Sequence, residues 1–361
     1  MRIPRKLEHV HYALQLGQSG KQGFSDIKLI HNCIPEASTE LITLQTSIGE
    51  LNLSSPIIVN AMTGGAQETE EINRDLAVAA RETGIAMAVG SQMSALKNPE
   101  VASSYKVVRE MNPSGLVFGN LGSEATVEQA LRAVDMLQAD ALQIHLNVMQ
   151  ELIMPEGDRD FRGMLERIAS IADKVGVPVI VKEVGFGMAK ESALALIETG
   201  VAAIDVGGYG GTNFAAIENA RRKQPMEWLN DWGCSTAVAL LESAEALKES
   251  RHNGRQIALI GSGGIQGSLE VVKALALGAS AVGIAGAFLR TLRTEGVDAL
   301  ISQIGHMHRE LKLVMTALGA PTVAQLWNAP VVLSGETAQW CSARGINIQE
   351  YAGRTGLIKI T

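Results

Sequence analysis

"GLVFGNLGSEATVEQALRAVDMLQADALQIHLN" (residues 115–147) contains one complete copy of the structural unit that predicts the architecture of the chain. Two short, largely apolar segments, 115–122 and 141–147, flank the segment 126–139, in which apolar residues recur with a helical period. Short apolar runs bounded by turn residues are typical of buried strands. The stretch therefore predicts a strand, a helix and a second strand, with the two strands parallel.

The same unit recurs along most of the chain. Helical-period segments, several of which end at glycine, separate the apolar ones. The predicted strands lie within residues 55–62, 84–91, 115–122, 141–147, 178–185, 202–210, 256–264 and 280–288. Eight units favour an α/β protein of the (β/α)₈ TIM-barrel class over a doubly wound sheet, which typically needs about five or six strands.

We predict one domain with additions at both ends of the barrel. An N-terminal extension over the barrel (1–54) precedes the core (55–290), and C-terminal helices with an irregular tail (291–361) follow it. A polar stretch at about 213–235 interrupts the spacing and carries Trp228 and Trp232, which suits a lid or an oligomer contact. In the C-terminal region, His306 and His308 suit the surface of a helix better than a metal site.

Composition and charge exclude several functional classes. The net charge is −7, the pI is near 5.6 and no long Lys/Arg run occurs, so a nucleic-acid surface is not expected. No apolar run approaches the roughly 20 residues that span a bilayer, and the N-terminus is polar where a signal peptide is apolar. We expect a cytoplasmic protein whose three cysteines, Cys33, Cys234 and Cys341, are reduced and packed.

The barrel prediction gives a position for the site, because TIM-barrel active sites lie at the C-terminal ends of the strands. Each predicted strand ends in polar or glycine residues. Alternation with a period of two places Gln143, His145 and Asn147 on one face of their strand. This face is expected to line the barrel mouth.

Glycine-rich turns follow the last three strands. "GSGGIQG" (261–267) and "GIAGAF" (283–288) suit a phosphate site made of backbone N–H groups, or else simply tight turns. "GGYGGTNF" (207–214) would let a flat ligand approach the backbone, or is a flexible loop. The two phosphate candidates lack the GxGxxG spacing, so a Rossmann dinucleotide site is disfavoured.

Charged residues at the mouth suggest further chemistry. Lys182 ends an apolar strand and needs an anionic or electron-rich partner, which could be Asp205 or Glu151; a Schiff-base role is another possibility. Glu151 could recruit Mg²⁺ together with substrate phosphate oxygens, whereas Glu156 and Asp158 suit a solvated acidic loop.

A compact cationic group, Arg5, Lys6 and His9, precedes the barrel. It could clamp a diphosphate if the segment folds over the mouth, or it could belong to an unstructured arm.

At these positions the chain closely resembles the bacterial type 2, FMN-dependent isopentenyl-diphosphate isomerase family. The similarity runs in order from Arg5 to about residue 340. Its motifs are "RKLEHV", "NAMTGG", "VGSQMSALK", "NLGSEAT", "QIHLNVMQELIMPEGDRDF", "VKEVGFGM", "GGYGGTNF", "SGGI" and "AGAFL".

The resemblance implies an FMN-dependent barrel that interconverts isopentenyl and dimethylallyl diphosphate with Mg²⁺ and no net redox change. NAD(P)H would supply the reduced flavin, which would act as acid and base through N5. Of the two residues with an implied catalytic role, Lys182 would stabilise the anionic reduced flavin and Gln150 would lie near the reacting end. The family also implies a homo-oligomer, either a tetramer or an octamer.

Residue roles carry over from the matching motifs. The implied FMN-binding residues are Met62, Thr63, Gly64, Ser91, Asn120, Lys182, Thr212, Gly263, Gly264, Ile265, Ala285 and Gly286. The implied substrate-binding residues are Arg5, Lys6, His9, Ser91, Gln92, Met93, His145, Asn147 and Gln150, of which His145 and Asn147 support the mouth. Glu151 matches the metal position. Some relatives have arginine in place of Met93, which leaves a backbone contact to diphosphate intact.

Two other functions fit parts of the pattern. One is another FMN-dependent barrel oxidoreductase, such as a hydroxy-acid oxidase or an IMP dehydrogenase relative. The latter would need a nucleophilic cysteine after the sixth strand, where Cys234 lies far downstream. The other is a non-catalytic sensor of a phosphorylated ligand, because fold does not fix function.

Overall fold

The computed structural model describes residues 21–251 and 257–355. Three short strands come first: β1 Ile27–Leu29, β2 Thr46–Ile48 and β3 Leu51–Leu53. The next eight strands close a parallel barrel, which confirms the predicted fold class. They are β4 Ile57–Val59, β5 Ala86–Ala88, β6 Val117–Gly122, β7 Ala141–Leu146, β8 Val179–Glu183, β9 Ala203–Asp205, β10 Ala258–Ser262 and β11 Ala281–Ile284.

Helices connect these strands and follow the last one. The barrel helices are Thr69–Thr83, Met93–Lys97, Ser103–Met111, Val127–Leu137, Val148–Ile153, Met164–Lys174, Lys190–Ile197, Phe214–Ala220, Thr236–Arg251, Ser268–Ala276 and Gly286–Glu295. Short 3-10 helices lie at Phe24–Asp26, Thr39–Leu41, Pro99–Val101 and Glu227–Leu229. Within the described ranges, no helix combines the length and the apolar content needed to cross a membrane.

Alternation along the strands separates two hydrophobic layers. In β4, Ile58 belongs to the barrel interior, whereas Ile57 and Val59 pack with the surrounding helices. Phe118 and several alanines complete the interior. The period-two pattern therefore supplies both layers of the fold from the same strands.

A hairpin closes the N-terminal end of the barrel. Strands β2 and β3 pair antiparallel, and Ile48 and Leu53 belong to the same hydrophobic cluster as the interior residue Phe118. Thr46 Oγ1 donates a hydrogen bond of 2.7 Å to the carbonyl of Ser280, just before β11. The opposite, C-terminal end of the strands is left for a site.

The C-terminal region is more ordered than predicted. The long helix Val297–Leu318 is followed by Val323–Leu326, β12 Val331–Leu333, Gly335–Ala343 and Ile348–Ala352. Strand β12 pairs antiparallel with β1. The expectation of an irregular tail was wrong, because the partner of β12 lies about 300 residues earlier in the sequence and local periodicity does not reveal it.

Several side-chain predictions have mixed outcomes. His306 is exposed on its helix as expected, but His308 is partly buried and its Nε2 lies 2.9 Å from Ser55 Oγ. All three cysteines are free; Cys341 is buried and Cys234 partly buried, whereas Cys33 is exposed rather than packed.

Candidate active site

A cavity of about 260 Å³ lies at the C-terminal end of the barrel. Residues at or after the ends of the barrel strands line it, as the TIM-barrel rule predicts. The structure brings together at this cavity all the residues predicted to bind FMN. They are Met62, Thr63, Gly64, Ser91, Asn120, Lys182, Thr212, Gly263, Gly264, Ile265, Ala285 and Gly286.

One side of the cavity is a cradle of backbone. Gly263 has φ +113°, and a Cβ there would lie 2.1 Å from the carbonyl oxygen of Gly208. Gly264 has φ +72°, and a Cβ there would lie 2.3 Å from the carbonyl oxygen of Gly210. Only glycine fits this close approach of two loops.

The helix Gly286–Glu295 begins at the same side of the cavity. The first N–H groups of a helix lack internal partners and attract phosphate. Together, this helix start and the glycine cradle fit the phosphate of FMN.

A chain of buried side-chain hydrogen bonds lies under the mouth. Asp205 accepts from Asn60 Nδ2 at 2.8 Å and from Ser262 Oγ at 2.5 Å. Gln143 Nε2 donates to Asn60 Oδ1 at 3.1 Å, and Asn120 Nδ2 donates to Gln143 Oε1 at 3.2 Å. This chain satisfies the polar groups that the strand sequences place inside, and it fixes their orientations.

The same chain reaches His145, whose Nδ1 lies 3.0 Å from Asn120 Oδ1. An amide oxygen only accepts, so Nδ1 carries the donated proton in this arrangement. His145 and Asn147 both line the cavity, at the positions predicted from their alternation.

Lys182 lies 7% exposed at the cavity, and its Nζ donates to the carbonyl oxygen of Glu183 at 2.8 Å. Neither of its two predicted acidic partners has a described hydrogen bond with it. Asp205 is engaged by neighbouring side chains, and Glu151 accepts from Asn147. Lys182 is therefore a buried cation that lines the cavity while bonded to backbone.

Glu183 itself also lines the cavity and was not predicted as a site residue. Burial raises its pKa to about 7, while backbone N–H groups of the following turn and the charge of Lys182 act in the opposite direction.

Gln150 lies on the helix Val148–Ile153 at the edge of the cavity, 8% exposed. Its Nε2 donates to Glu218 Oε1 at 3.0 Å. Glu218 is fully buried and also forms an ion pair with Arg221, whose other guanidinium nitrogen donates to Glu156 Oε1 at 2.7 Å. The insert thus holds the side chain of a predicted catalytic residue.

Sequence reasoning missed Glu218, although one signal was present. In the helix Phe214–Ala220, Glu218 lies three residues after the buried Ala215 and so shares its inward face. A carboxylate on the apolar face of a short helix requires a polar partner.

Glu151 is oriented by two donors. Asn147 Nδ2 donates to Oε1 at 2.8 Å, and the N–H of Asp158 donates to Oε2 at 2.9 Å. The pKa of the nearby Glu124 carboxyl is raised first by desolvation and then by the negative charges of Glu151 and Asp158. The carboxyl groups of Glu151 and Asp158 therefore lie near that of Glu124.

Within the described residues, no group of three or more His, Cys, Asp or Glu side chains could hold a metal ion. A Mg²⁺ ion at Glu151 would need its remaining oxygen ligands from substrate phosphate and water, which is the usual arrangement for this cation.

Arg159 holds the loop that follows Glu151. Its guanidinium donates to four backbone carbonyl oxygens. They belong to Glu151 (2.6 Å), Gly157 (2.6 Å), Asp158 (2.9 Å) and Met154 (2.8 Å). This fixes the N–H of Asp158 that orients the Glu151 carboxylate.

Two predicted substrate-binding residues do not line the cavity. Gln92 is fully buried; its amide donates to the carbonyl of Ala133 at 2.9 Å and accepts from the N–H of Asn120 at 3.0 Å. Met93 packs against the outer core. Gln92 therefore lies beneath the mouth, where its hydrogen bonds support the neighbouring backbone. Predicted contacts of Arg5, Lys6 and His9 lie outside the described residues.

Comparison with known proteins places these features in a family context. Residues 123–332 match the FMN-dependent dehydrogenase family. The isopentenyl-diphosphate delta-isomerase of Bacillus pumilus (strain SAFR-032) is 51% identical over 355 residues, which cover 98% of this chain and 98% of that protein. The enzyme of the same name from Bacillus cytotoxicus is 54% identical over 354 residues, which cover 98% of this chain and 99% of that protein.

Solved structures resemble the chain at the level of the fold. A structure described as a Pediococcus acidilactici lactate oxidase has a TM-score of 0.67 at 19% identity, covering 91% of this chain and 87% of its own. A mandelate oxidase has a TM-score of 0.63 at 17% identity, and the match covers 91% of this chain and 96% of that protein. At these sequence identities, the structural similarity is evidence for the barrel fold only.

Proposed function

Because the chain belongs to the isopentenyl-diphosphate delta-isomerase family and to the wider FMN-dependent dehydrogenase family, we propose that it interconverts isopentenyl diphosphate and dimethylallyl diphosphate. The reaction moves a double bond and has no net redox change. The observation that carries the proposal is the gathering of every predicted FMN-binding residue around one cavity at the C-terminal end of the barrel.

The residues present fit FMN. The glycine cradle at Gly263 and Gly264, with the start of the helix Gly286–Glu295, would hold the phosphate. Lys182 would lie against the ring system, where its charge favours an anionic reduced flavin. Met62, Thr63 and Thr212 complete the lining on other strands.

Isomerisation requires adding a proton at one carbon and removing one from another. An unactivated alkene is a poor base, so an ordinary solvated carboxylic acid is a weak donor to it. When bound, reduced FMN supplies the acid and the base, as the family resemblance implies. The chain's own residues then position the alkene, hold the diphosphate and exclude water.

Gln150 and Glu151 would contact different ends of the substrate. Gln150, held by Glu218, would contact the reacting end, and Glu151 would hold Mg²⁺, whose charge would offset that of the diphosphate. Arg5, Lys6 and His9 would add positive charge to the diphosphate end. NAD(P)H would serve as the external reductant of the flavin.

The first alternative, another FMN-dependent oxidoreductase, is disfavoured by the names and the high coverage of the close relatives. An IMP dehydrogenase-like nucleophile is also disfavoured. Burial raises the pKa of the Cys234 thiol to about 12, so the reactive thiolate is scarce at neutral pH. A phosphate-ligand sensor would bind isopentenyl diphosphate without converting it.

We further propose a cytoplasmic homo-oligomer, in line with the family resemblance. The insert carries Trp228 and Trp232, which are 75% and 55% exposed and offer apolar surface to a second copy. Light scattering during size exclusion tests this: a single-chain mass near 38.3 kDa contradicts it.

Cofactor binding is the first test of the proposed function. The purified protein, dialysed against FMN, should retain about one FMN per chain and show a flavin absorption band that bleaches with NADPH. A colourless protein that takes up no FMN would contradict the proposal. Gln150→Ala should keep FMN and lose turnover; full activity would contradict the role given to Gln150.

A further inference from the structure

Glu183 ends β8 inside the same cavity but has no part in the proposed reaction. It is 9% exposed, and its Oε2 accepts the backbone N–H groups of the three residues that shape the next turn. The distances are 2.7 Å from Gly185, 2.6 Å from Phe186 and 3.1 Å from Gly187. One carboxylate oxygen thus organises the whole turn.

The turn depends on this oxygen because its backbone is unusual. Gly185 and Gly187 have φ +143° and φ +80°, which side-chain-bearing residues rarely adopt. Neighbouring segments hold the outer side of the turn. The N–H of Gly187 also donates to the carbonyl oxygen of Gly207 at 3.0 Å, and the carbonyl oxygen of Phe186 accepts from the N–H of Cys234 at 3.0 Å. Without the carboxylate, the N–H groups of Gly185 and Phe186 would lose their acceptor, and that of Gly187 would keep only the Gly207 carbonyl.

The backbone carbonyl of Glu183 connects this turn to the cofactor side of the cavity. It accepts the Lys182 Nζ hydrogen bond at 2.8 Å. A Cβ at Gly207 would lie 2.1 Å from the same oxygen, so the turn that follows β9 packs directly against it. The direction of the Lys182 side chain is therefore tied to the position of one carbonyl.

We propose that Glu183 is a positioning residue, which holds the turn 183–187 and thereby aims the Lys182 ammonium at the cofactor. The inference rests on the proposed FMN site. Glu183 itself need not touch FMN or substrate.

The chemistry of the carboxyl group predicts which substitutions are tolerated. The turn uses Oε2 only as an acceptor. Protonation on Oε1 leaves that acceptor in place, and an amide oxygen can replace it. Glu183→Gln should therefore preserve the turn, whereas Glu183→Ala removes the acceptor and Glu183→Asp draws it back by one methylene.

The experiment compares FMN affinity, the pH titration of the absorption spectrum of bound reduced flavin, and the thermal midpoint. Glu183→Ala should weaken FMN binding roughly tenfold, the loss expected from one misplaced charge-assisted contact. Its reduced flavin should also take up a proton at higher pH than in the wild type, because the anion is less stabilised. Glu183→Gln should stay within about threefold of wild type for FMN affinity.

Glu242→Ala is the matched control, because Glu242 is another buried carboxylate with several hydrogen bonds but does not line the cavity. It should lower the thermal midpoint and leave both flavin readouts unchanged. If Glu183→Ala does not fold, Glu183→Asp gives the same comparison.

Combining Glu183 variants with Lys182→Met distinguishes an effect on the position of Lys182 from an effect on folding. In a Lys182→Met background, Glu183→Gln and Glu183→Asp should bind FMN alike and show the same flavin titration. Wild-type flavin readouts in both Glu183→Ala and Glu183→Asp would overturn this inference alone. A wild-type protein that binds no FMN would overturn the proposed function and this inference with it.

Discussion

The side-chain amide of Gln150 donates a 3.0 Å hydrogen bond to Glu218, a fully buried carboxylate 68 residues further along the chain. The contact joins the helix after β7 to the insert after β9. An insert predicted only as a lid or an oligomer contact therefore has a part inside the site.

This relationship predicts that Glu218→Gln lowers turnover about 10- to 100-fold, because a hydrogen bond to a charged group contributes roughly 1.5–3 kcal/mol. FMN affinity should not change, since Glu218 does not line the cavity. Steady-state kinetics with a parallel FMN titration measure both quantities.

The control for this substitution is Glu156→Gln, which alters the other carboxylate on Arg221 at a side chain that is 47% exposed. Its turnover should stay near wild type. Equal turnover in the Glu218 and Glu156 variants would refute a specific role for the Gln150 contact.

Arg159 gives a prediction about metal binding. Arg159→Lys cannot reproduce the forked donation to several carbonyls, so the N–H of Asp158 should shift away from Glu151. We expect the Mg²⁺ concentration for half-maximal activity to rise about tenfold, with direct Mn²⁺ binding weakened in parallel.

Arg162→Lys serves as the control, because the Arg162 side chain is 90% exposed and, among the side chains that the structure describes, pairs only with Asp160. A Mg²⁺ dependence in Arg159→Lys that matches this control would show that the loop is held by other contacts.

The glycine cradle predicts a contrast between two glycines of one loop. Gly263→Ala would place a methyl group 2.1 Å from the Gly208 carbonyl at φ +113°, so both FMN binding and stability should be lost. A Cβ at Gly267 would meet no atom of residues 21–251 or 257–355 within 4 Å, so Gly267→Ala should leave both nearly unchanged. Equilibrium dialysis and thermal melting measure the two effects; FMN retention in Gly263→Ala contradicts the cradle.

The C-terminal region should respond to pH through Glu242. Burial acts to raise the pKa of this carboxyl, but hydrogen bonds from Arg344, Trp340 and the N–H of Lys190 outweigh it and lower the pKa. A carboxyl with a lowered folded-state pKa stabilises the fold above its unfolded pKa of about 4.3 and loses this effect as the pH falls through the folded value.

Glu242→Gln should therefore reduce the free energy of unfolding by about 1–3 kcal/mol at pH 7. The difference from wild type should shrink as the pH falls below about 4. Urea denaturation at several pH values tests this. A difference that stays constant between pH 7 and pH 3 would mean that the carboxylate charge contributes nothing.

Much of this architecture was predictable because the information is local. A period of two in segments such as 141–147, a helical period between them and glycine at helix ends together give the eight-stranded barrel. The TIM-barrel rule then places residues such as Asn120, His145 and Lys182 at one cavity from the strand ends alone.

The contacts that the sequence did not reveal join residues that are distant in sequence. Gln92 follows a strand end, yet its amide is taken by Ala133 and Asn120 on neighbouring units. Glu218 pairs with a residue on another loop, and β12 pairs with β1 across almost the whole chain. No local period carries such information, so these positions required the fold itself.

Turnover under defined redox conditions tests whether the protein isomerises isopentenyl diphosphate without net consumption of reductant. The FMN-loaded protein, reduced with NADPH in the presence of Mg²⁺ and without oxygen, is mixed with isopentenyl diphosphate, and product is followed by NMR. We predict dimethylallyl diphosphate in many turnovers per NADPH consumed, and none with oxidised flavin. Binding without conversion, or one NADPH consumed per product, would contradict the account.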